Sequence, residues 1–344
     1  MKEINLKSLV SDINKKKAQI VGFGYYTEGV HEYWKMLKLF IHNLAKINKN
    51  IDIYFEDVYP LVNNLNNLIH NPVQIRMGRS YNSQYKYPLK RYISNNAFDS
   101  IEFLDFINEL QGLNLGSNDI NIIGVNHIVE DNQYDQYQMY DPLKSLKKRY
   151  PQFSKDNSIK SKFIKSIVDL KENQYMYTLI DYLQKSRNRI GIFVGHVDSV
   201  QKFKLNGYKS VGYMLGKKYN DKYIAIGTAS MGGIVRFVGR LKPSYQKNNT
   251  KIYEKIQYDK EPIGYKVRDR GSLQRTVKNM FQRKPYHIFK LDGKNSLYYY
   301  TSGKYKFSES ENDYYRNIKH LNYLIYFEQS TPVHNLIFEE TVYV

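Results

Sequence analysis

Four polar side chains stand where strand-like apolar runs give way to loops. Tyr25 and Glu28 follow AQIVGF (Ala18–Phe23), Glu56 follows IDIYF (Ile51–Phe55), and His196 follows RIGIFV (Arg189–Val194). Direct attack of water on an ester needs a base that titrates near neutral pH, a group that orients it, and donors for the oxyanion. Imidazole has that basicity, and a carboxylate behind it holds one tautomer. His196 backed by Glu56 or Glu28, with Tyr25 or Tyr26 as donor, supplies such a set. Glu28 itself serves as base if burial beside Glu56 raises its pKa, as like-charged neighbours do. The same residues equally describe a buried His–Glu hydrogen bond that only ties two loops together.

Other chemistries have less support. Glu28, His31, Glu56 and His196 are hard or borderline metal ligands, but no H-E-x-x-H or paired-aspartate spacing frames them, so no metal is expected. Gly22-Phe23-Gly24 lies between a strand and a helix, yet Thr27 stands where a dinucleotide fingerprint needs its third glycine. Glu56 also lies later than the ~20 residues at which a ribose-binding acid belongs, so no cofactor is expected. There is no G-x-S-x-G elbow, and the Gly227–Gly233 segment lacks one. With no cysteine in the chain, disulfides, thiolate metal sites and a thiol nucleophile are excluded.

The elements that carry these residues follow from apolar periodicity. A helix is read from Val30, Tyr33, Trp34, Leu37, Phe40, Ile41 and Leu44, which recur at steps of three and four, with Thr27 as its N-cap. Together with AQIVGF and IDIYF it forms a βαβ unit, which predicts a parallel strand pair. Further strands are read at Asn121–Val125, Lys222–Gly227, Tyr323–Phe327 and Leu336–Tyr343. Further helices are read from Val58 to Ile69, Phe98 to Leu110, within Lys144–Lys185, and from Val211 to Tyr219. The fold class is therefore α/β: a mixed, largely parallel sheet flanked by helices. One domain over 1–344 is expected, with a helical excursion at about 60–190 and a basic, aromatic segment at about 240–320. In such sheets ligands bind beyond the carboxyl ends of the strands, where the four polar residues collect.

The chain has 344 residues, 42% hydrophobic and 25% charged, which is ordinary for a globular protein. Its formal net charge of +19 attracts polyanions, although the basic residues are scattered rather than blocked. In the C-terminal segment Arg268, Arg270, Arg275, Lys278, Arg283 and Lys284 interleave with Tyr265, Phe281 and Tyr286. That mixture suits single-stranded nucleic acid or another polyanion, and equally a solvated face. The opening MKEINLKSLV is not a signal peptide, and no apolar run approaches the ~20 residues of a spanning helix. A cytoplasmic location and no membrane span are expected.

The blocks and their order resemble the erythromycin-esterase-like hydrolase family. Members carry G-E-x-T-H-G with H-E-F/Y after it, a strand ending in an acid, then H-N-x-H, G-Y-x-L and D-x-L-I-F-x-x-T. Here stand Gly24-Tyr25-Tyr26-Thr27-Glu28-Gly29 with His31-Glu32-Tyr33, then Glu56, then Gly195-His196-Val197-Asp198-Ser199. Gly212-Tyr213-Met214-Leu215 and Asn335-Leu336-Ile337-Phe338-Glu339-Glu340-Thr341 follow. The family's leading glutamate falls at Tyr25, its water-activating histidine at Glu28 and the second histidine at Ser199. Its helix arginine falls near Leu37 or Lys38. The resemblance implies hydrolysis of an ester or related bond on a small-molecule substrate by water activation. The departures imply, as the alternative, a pseudoenzyme: a scaffold or binding protein that kept the fold.

Overall fold

The computed structural model describes residues 1–26, 30–70, 100–126, 172–186, 188–205, 208–230, 232–237, 263–268, 277, 284–293, 298–301 and 314–331. Eight strands form one sheet: β1 (Lys2–Ile4), β2 (Ile20–Tyr25), β3 (Asn50–Val58), β4 (Asp119–Asn126), β5 (Ile190–His196), β6 (Tyr223–Ser230), β7 (Tyr286–Lys290) and β8 (Tyr323–Phe327). Their order across the sheet is β1-β7-β8-β6-β2-β5-β3-β4. Only β7 runs against its neighbours; the other seven strands are parallel.

Seven helices accompany them among the described residues: α1 (Leu6–Lys15), α2 (His31–Ala45), α3 (Tyr59–His70), α4 (Ile101–Leu115), α5 (Glu172–Ser186), α6 (Val197–Val200) and α7 (Val211–Tyr219). None is long and apolar enough to cross a membrane. Each central strand is apolar on both sides, as a doubly covered parallel sheet requires. Phe23, Ile53, Phe55, Ile192 and Val194 face α1, α2, α3 and α4. Tyr54, Phe193, Ala225 and Tyr326 face α5, α6 and α7. The stripe of α2 buries Trp34, Leu37, Phe40, Ile41 and Leu44, each worth roughly 1.5–3 kcal/mol of transfer free energy.

Helix starts are set by short polar side chains. Asn5 Oδ1 accepts from the Ser8 N–H at 2.8 Å, Ser100 Oγ from Phe103 at 3.1 Å, and Ser210 Oγ from Tyr213 at 2.9 Å. At α2 the N-cap position is taken by Val30 rather than Thr27, with no side-chain bond. The first turn is served from outside instead. The His31 N–H donates to Thr331 O at 3.0 Å, and Glu32 accepts from the Thr331 N–H at 2.9 Å and its hydroxyl at 2.5 Å.

One expectation changes, and some elements were not foreseen. The β2–α2–β3 unit is parallel, but its strands are not neighbours, because β5 lies between them and pairs with both. The segment expected at about 240–320 holds β7 and strands of two antiparallel ribbons, Gly232–Phe237 with Ile263–Arg268 and Tyr298–Thr301 with Tyr314–Asn317. Its tyrosines are strand formers, which a search for helical periodicity passes over. β1 is likewise a strand that periodicity did not show. The strand read at Asn121–Val125 is present as β4, at one edge of the main sheet. Thr27, Glu28, residues 71–99 and 127–171, and the C-terminal block at Asn335–Thr341 lie outside the described residues.

Candidate functional site

β2 and β5 are neighbours whose chains leave the sheet on opposite faces. β2 leads to α2 against one core cluster, and β5 leads to α6 against the other. Adjacent strands that diverge in this way open a crevice at their carboxyl ends. Tyr25 ends β2 and His196 ends β5, directly paired in register. Their rings meet edge to face with centroids 5.6 Å apart, and Tyr25 also meets Tyr33 of α2 edge to face at 5.5 Å. His196 is buried, whereas Tyr25 is only partly so.

Glu56 reaches this pair from β3, on the other face of the sheet. Its Oε2 accepts the His196 main-chain N–H at 2.8 Å, and its Oε1 accepts the Ser199 hydroxyl at 2.8 Å. Gly195 makes room for it: a Cβ there would lie 2.4 Å from Glu56 Oε2. The carboxylate thus steadies the strand end and the first turn of α6 through charge-assisted bonds. Its described bonds go to the His196 main chain and to Ser199.

The orientation of the imidazole is decided by α6. His196 is the N-cap of that short helix, and its Nδ1 accepts the Asp198 N–H at 3.2 Å. The Asp198 carboxylate is 3.7 Å from the same nitrogen, beyond hydrogen-bond reach. A ring nitrogen that accepts carries no proton, so the neutral ring holds its proton on Nε2 and offers that atom as a donor. α6 takes this place because no side chain keeps it off the sheet. A Cβ at Gly24 would sit 2.8 Å from Val197 Cα, and one on Gly212 of α7 would sit 1.8 Å from Val200 O.

Buried hydroxyls line the neighbouring strand ends. Thr228 Oγ1 accepts the Tyr26 N–H at 3.2 Å and donates to Gly24 O at 2.9 Å. The Tyr26 hydroxyl is bonded to Ser330 Oγ. Burial pushes this phenol well above its ordinary pKa, and the nearby Glu32 charge adds to that. Tyr26, one of the two tyrosines read as a donor, is a buried tie between β2 and the segment after β8. Tyr33 is also buried; its hydroxyl donates to Phe23 O at 3.3 Å and is pushed far up by burial and by the charge of Glu56.

His31 turns away from the crevice, its Nδ1 2.7 Å from Glu102 Oε1 on α4. Among the described residues, no three His, Asp or Glu side chains converge to hold a metal ion. In the segment read as suited to a polyanion, Lys284 is bonded to Glu3 at 3.0 Å and the aromatic Tyr286 packs on the core. Asp198 and Ser199 lie in the polar stretch that follows the strand; the short helix that gives them their roles leaves no periodic trace in the sequence.

No protein-family profile matches the chain, and neither does any curated protein sequence. Solved structures do match. A Bacillus cereus protein superposes with a TM-score of 0.61 at 14% identity, over 97% of this chain and 94% of that one. A succinoglycan biosynthesis protein gives 0.60 at 14% identity, over 96% and 92%. A mutant of the erythromycin esterase EreC in its open conformation gives 0.61 at 11% identity, over 96% and 95%. This chain shares their fold. At such identities the likeness speaks for architecture, not for chemistry.

Proposed function

We propose that this chain is a diverged hydrolase of the erythromycin-esterase-like kind, binding a small molecule at the carboxyl ends of β2, β3 and β5. The observation that carries the reading is the juxtaposition of Tyr25 and His196 at the point where the chain diverges to both faces. A site built for acyl chemistry needs donors fixed before the substrate arrives. The His196 ring is held by the Asp198 amide and its main chain by Glu56, so the imidazole is ordered before a substrate arrives. In this reading Nε2–H and the Tyr25 hydroxyl polarise the carbonyl of an ester or related bond. Glu28, standing at the family's base position, activates the water. Glu56 acts as a positioning residue.

A second reading has its own observation. Nδ1 of His196 and both oxygens of Glu56 are already engaged. Neither group is then a ready base, which favours a protein that binds a carbonyl compound without turning it over. A panel of activated esters separates the two. As an enzyme, the chain loses roughly 100-fold or more in kcat/KM on His196→Ala and on Glu28→Gln. Turnover that is absent, or unchanged by both substitutions, removes the hydrolase reading. Binding of the same esters that weakens on His196→Ala then supports the second.

A further inference from the structure

The opposite end of the sheet has a different character. Lys16 and Lys17 precede β2, Lys46 and Lys49 precede β3, and Lys222 precedes β6. Lys202 joins them, because the chain after α6 runs back along the sheet. Its N–H donates to His320 O at 2.9 Å, just ahead of β8, and its Nζ lies 5.7 Å from the centre of the Tyr223 ring. The Gln19 N–H donates to Lys222 O at 2.9 Å, which joins the turn after α1 to this group. The described ion pairs of lysine involve Lys185, Lys284 and Lys290, and none of these six. Some nearby acids are committed elsewhere: Asp12 is bonded to Lys290 at 2.6 Å and Asp119 to Arg189 at 2.5 Å, while Asp221 acts on Lys202. Burial and the charge of Lys16 hold the Lys202 ammonium below its usual range, with Asp221 acting against them. Helix C-termini also point this way, but at about half a negative charge each they offset only part of the lysines.

The same end carries exposed aliphatic side chains. Among the described residues the exposed large hydrophobics are Leu39 at 36%, Ile47 at 46% and Leu115 at 53%. Ile47 follows α2 and Leu115 closes α4. These helices run side by side in the same direction, linked by His31–Glu102 at 2.7 Å and His42–Glu109 at 2.6 Å. Their ends therefore emerge together, and the Asp119 N–H donates to Lys49 O at 2.8 Å between them.

We propose that this amino-end surface docks on an anionic lipid bilayer, with its lysines at the headgroups and Ile47 and Leu115 entering the interfacial layer. Lysines beside exposed aliphatic groups are the recipe for interfacial binding. A nucleic acid would use the lysines but has no use for the aliphatic pair. The crevice at Tyr25 and His196 would then face away from the membrane. Co-sedimentation of the full chain tests this, using phosphatidylcholine vesicles with and without about one-third phosphatidylserine. We expect retention on the anionic vesicles only. Lys16→Gln, Lys49→Gln and Lys222→Gln together should weaken it by about tenfold or more, and Ile47→Asn with Leu115→Asn should also weaken it. These positions are all exposed, so the thermal midpoint should hold and serves as the folding control. No retention, retention indifferent to the aliphatic pair, or capture of a single-stranded oligonucleotide in place of vesicles would overturn the proposal.

Discussion

At His196 a main-chain amide reaches the ring and a carboxylate reaches the main chain. The Asp198 N–H fixes which ring nitrogen holds the proton, and Glu56 fixes where the ring is hung. This arrangement depends on a missing side chain. In Gly195→Ala the new methyl would meet Glu56 Oε2 at 2.4 Å, so the carboxylate must leave the His196 N–H or the strand must shift. Overpacking of this kind costs about 1–3 kcal/mol. Chemical denaturation should show it as a lower midpoint at unchanged slope, and an unchanged midpoint would mean that the carboxylate is not held there. Both His196 and Glu56 stand out in the sequence as polar residues following apolar runs, and lie at or near the ends of β5 and β3. Their partnership through the main chain was not legible, because a side chain's reach to a distant amide leaves no trace in spacing.

Among the elements, α6 and the β1–β7 edge were the least visible in advance. A four-residue helix is too short for periodicity, and it exists because glycines beneath it leave the sheet bare. The edge is held partly by charge. Lys290 of β7 donates to Asp12 of α1 at 2.6 Å, and the Tyr323 hydroxyl of β8 donates to the same oxygen at 3.1 Å. The bond from Lys290 holds the Asp12 carboxyl below the usual range, against the opposing effect of burial, with help from Tyr323. A depressed folded pKa adds stability above the unfolded value near 4 and loses it as pH falls through the folded value. The stability of Asp12→Asn should therefore fall less steeply between about pH 4 and 2 than that of the parent. Acid titration of the unfolding free energy checks this, and equal slopes would show that the ion pair contributes nothing.

For the molecule as a whole, the consequence of topology is that the first half cannot complete itself. β2 and β3 have no bond to each other; β5, more than a hundred residues on, fills the gap. A fragment of residues 1–126 would leave two buried strand edges open, each with unpaired N–H and C=O groups. It is expected to lack cooperative unfolding and to aggregate, and the full chain is expected to unfold in a single transition. A sharp thermal transition in the fragment would contradict this. The two ends of the sheet divide the chemistry, with the aromatic and imidazole crevice at one end and lysines with aliphatic tips at the other.

What the sequence by itself determined was local: the strands that feed the sheet, the amphipathic helices, and the polar residues where strands stop. Each of these reflects a preference acting within a dozen residues, through side-chain periodicity and the polarity of chain that must meet water. Only the tertiary structure decided that β5 lies between β2 and β3, that β7 is reversed, and that Glu56 holds His196 by its amide. Those outcomes rest on groups brought together from tens to more than a hundred residues apart. There the order of strands and the empty space above a glycine choose the partner, and neither is written in any one stretch of chain.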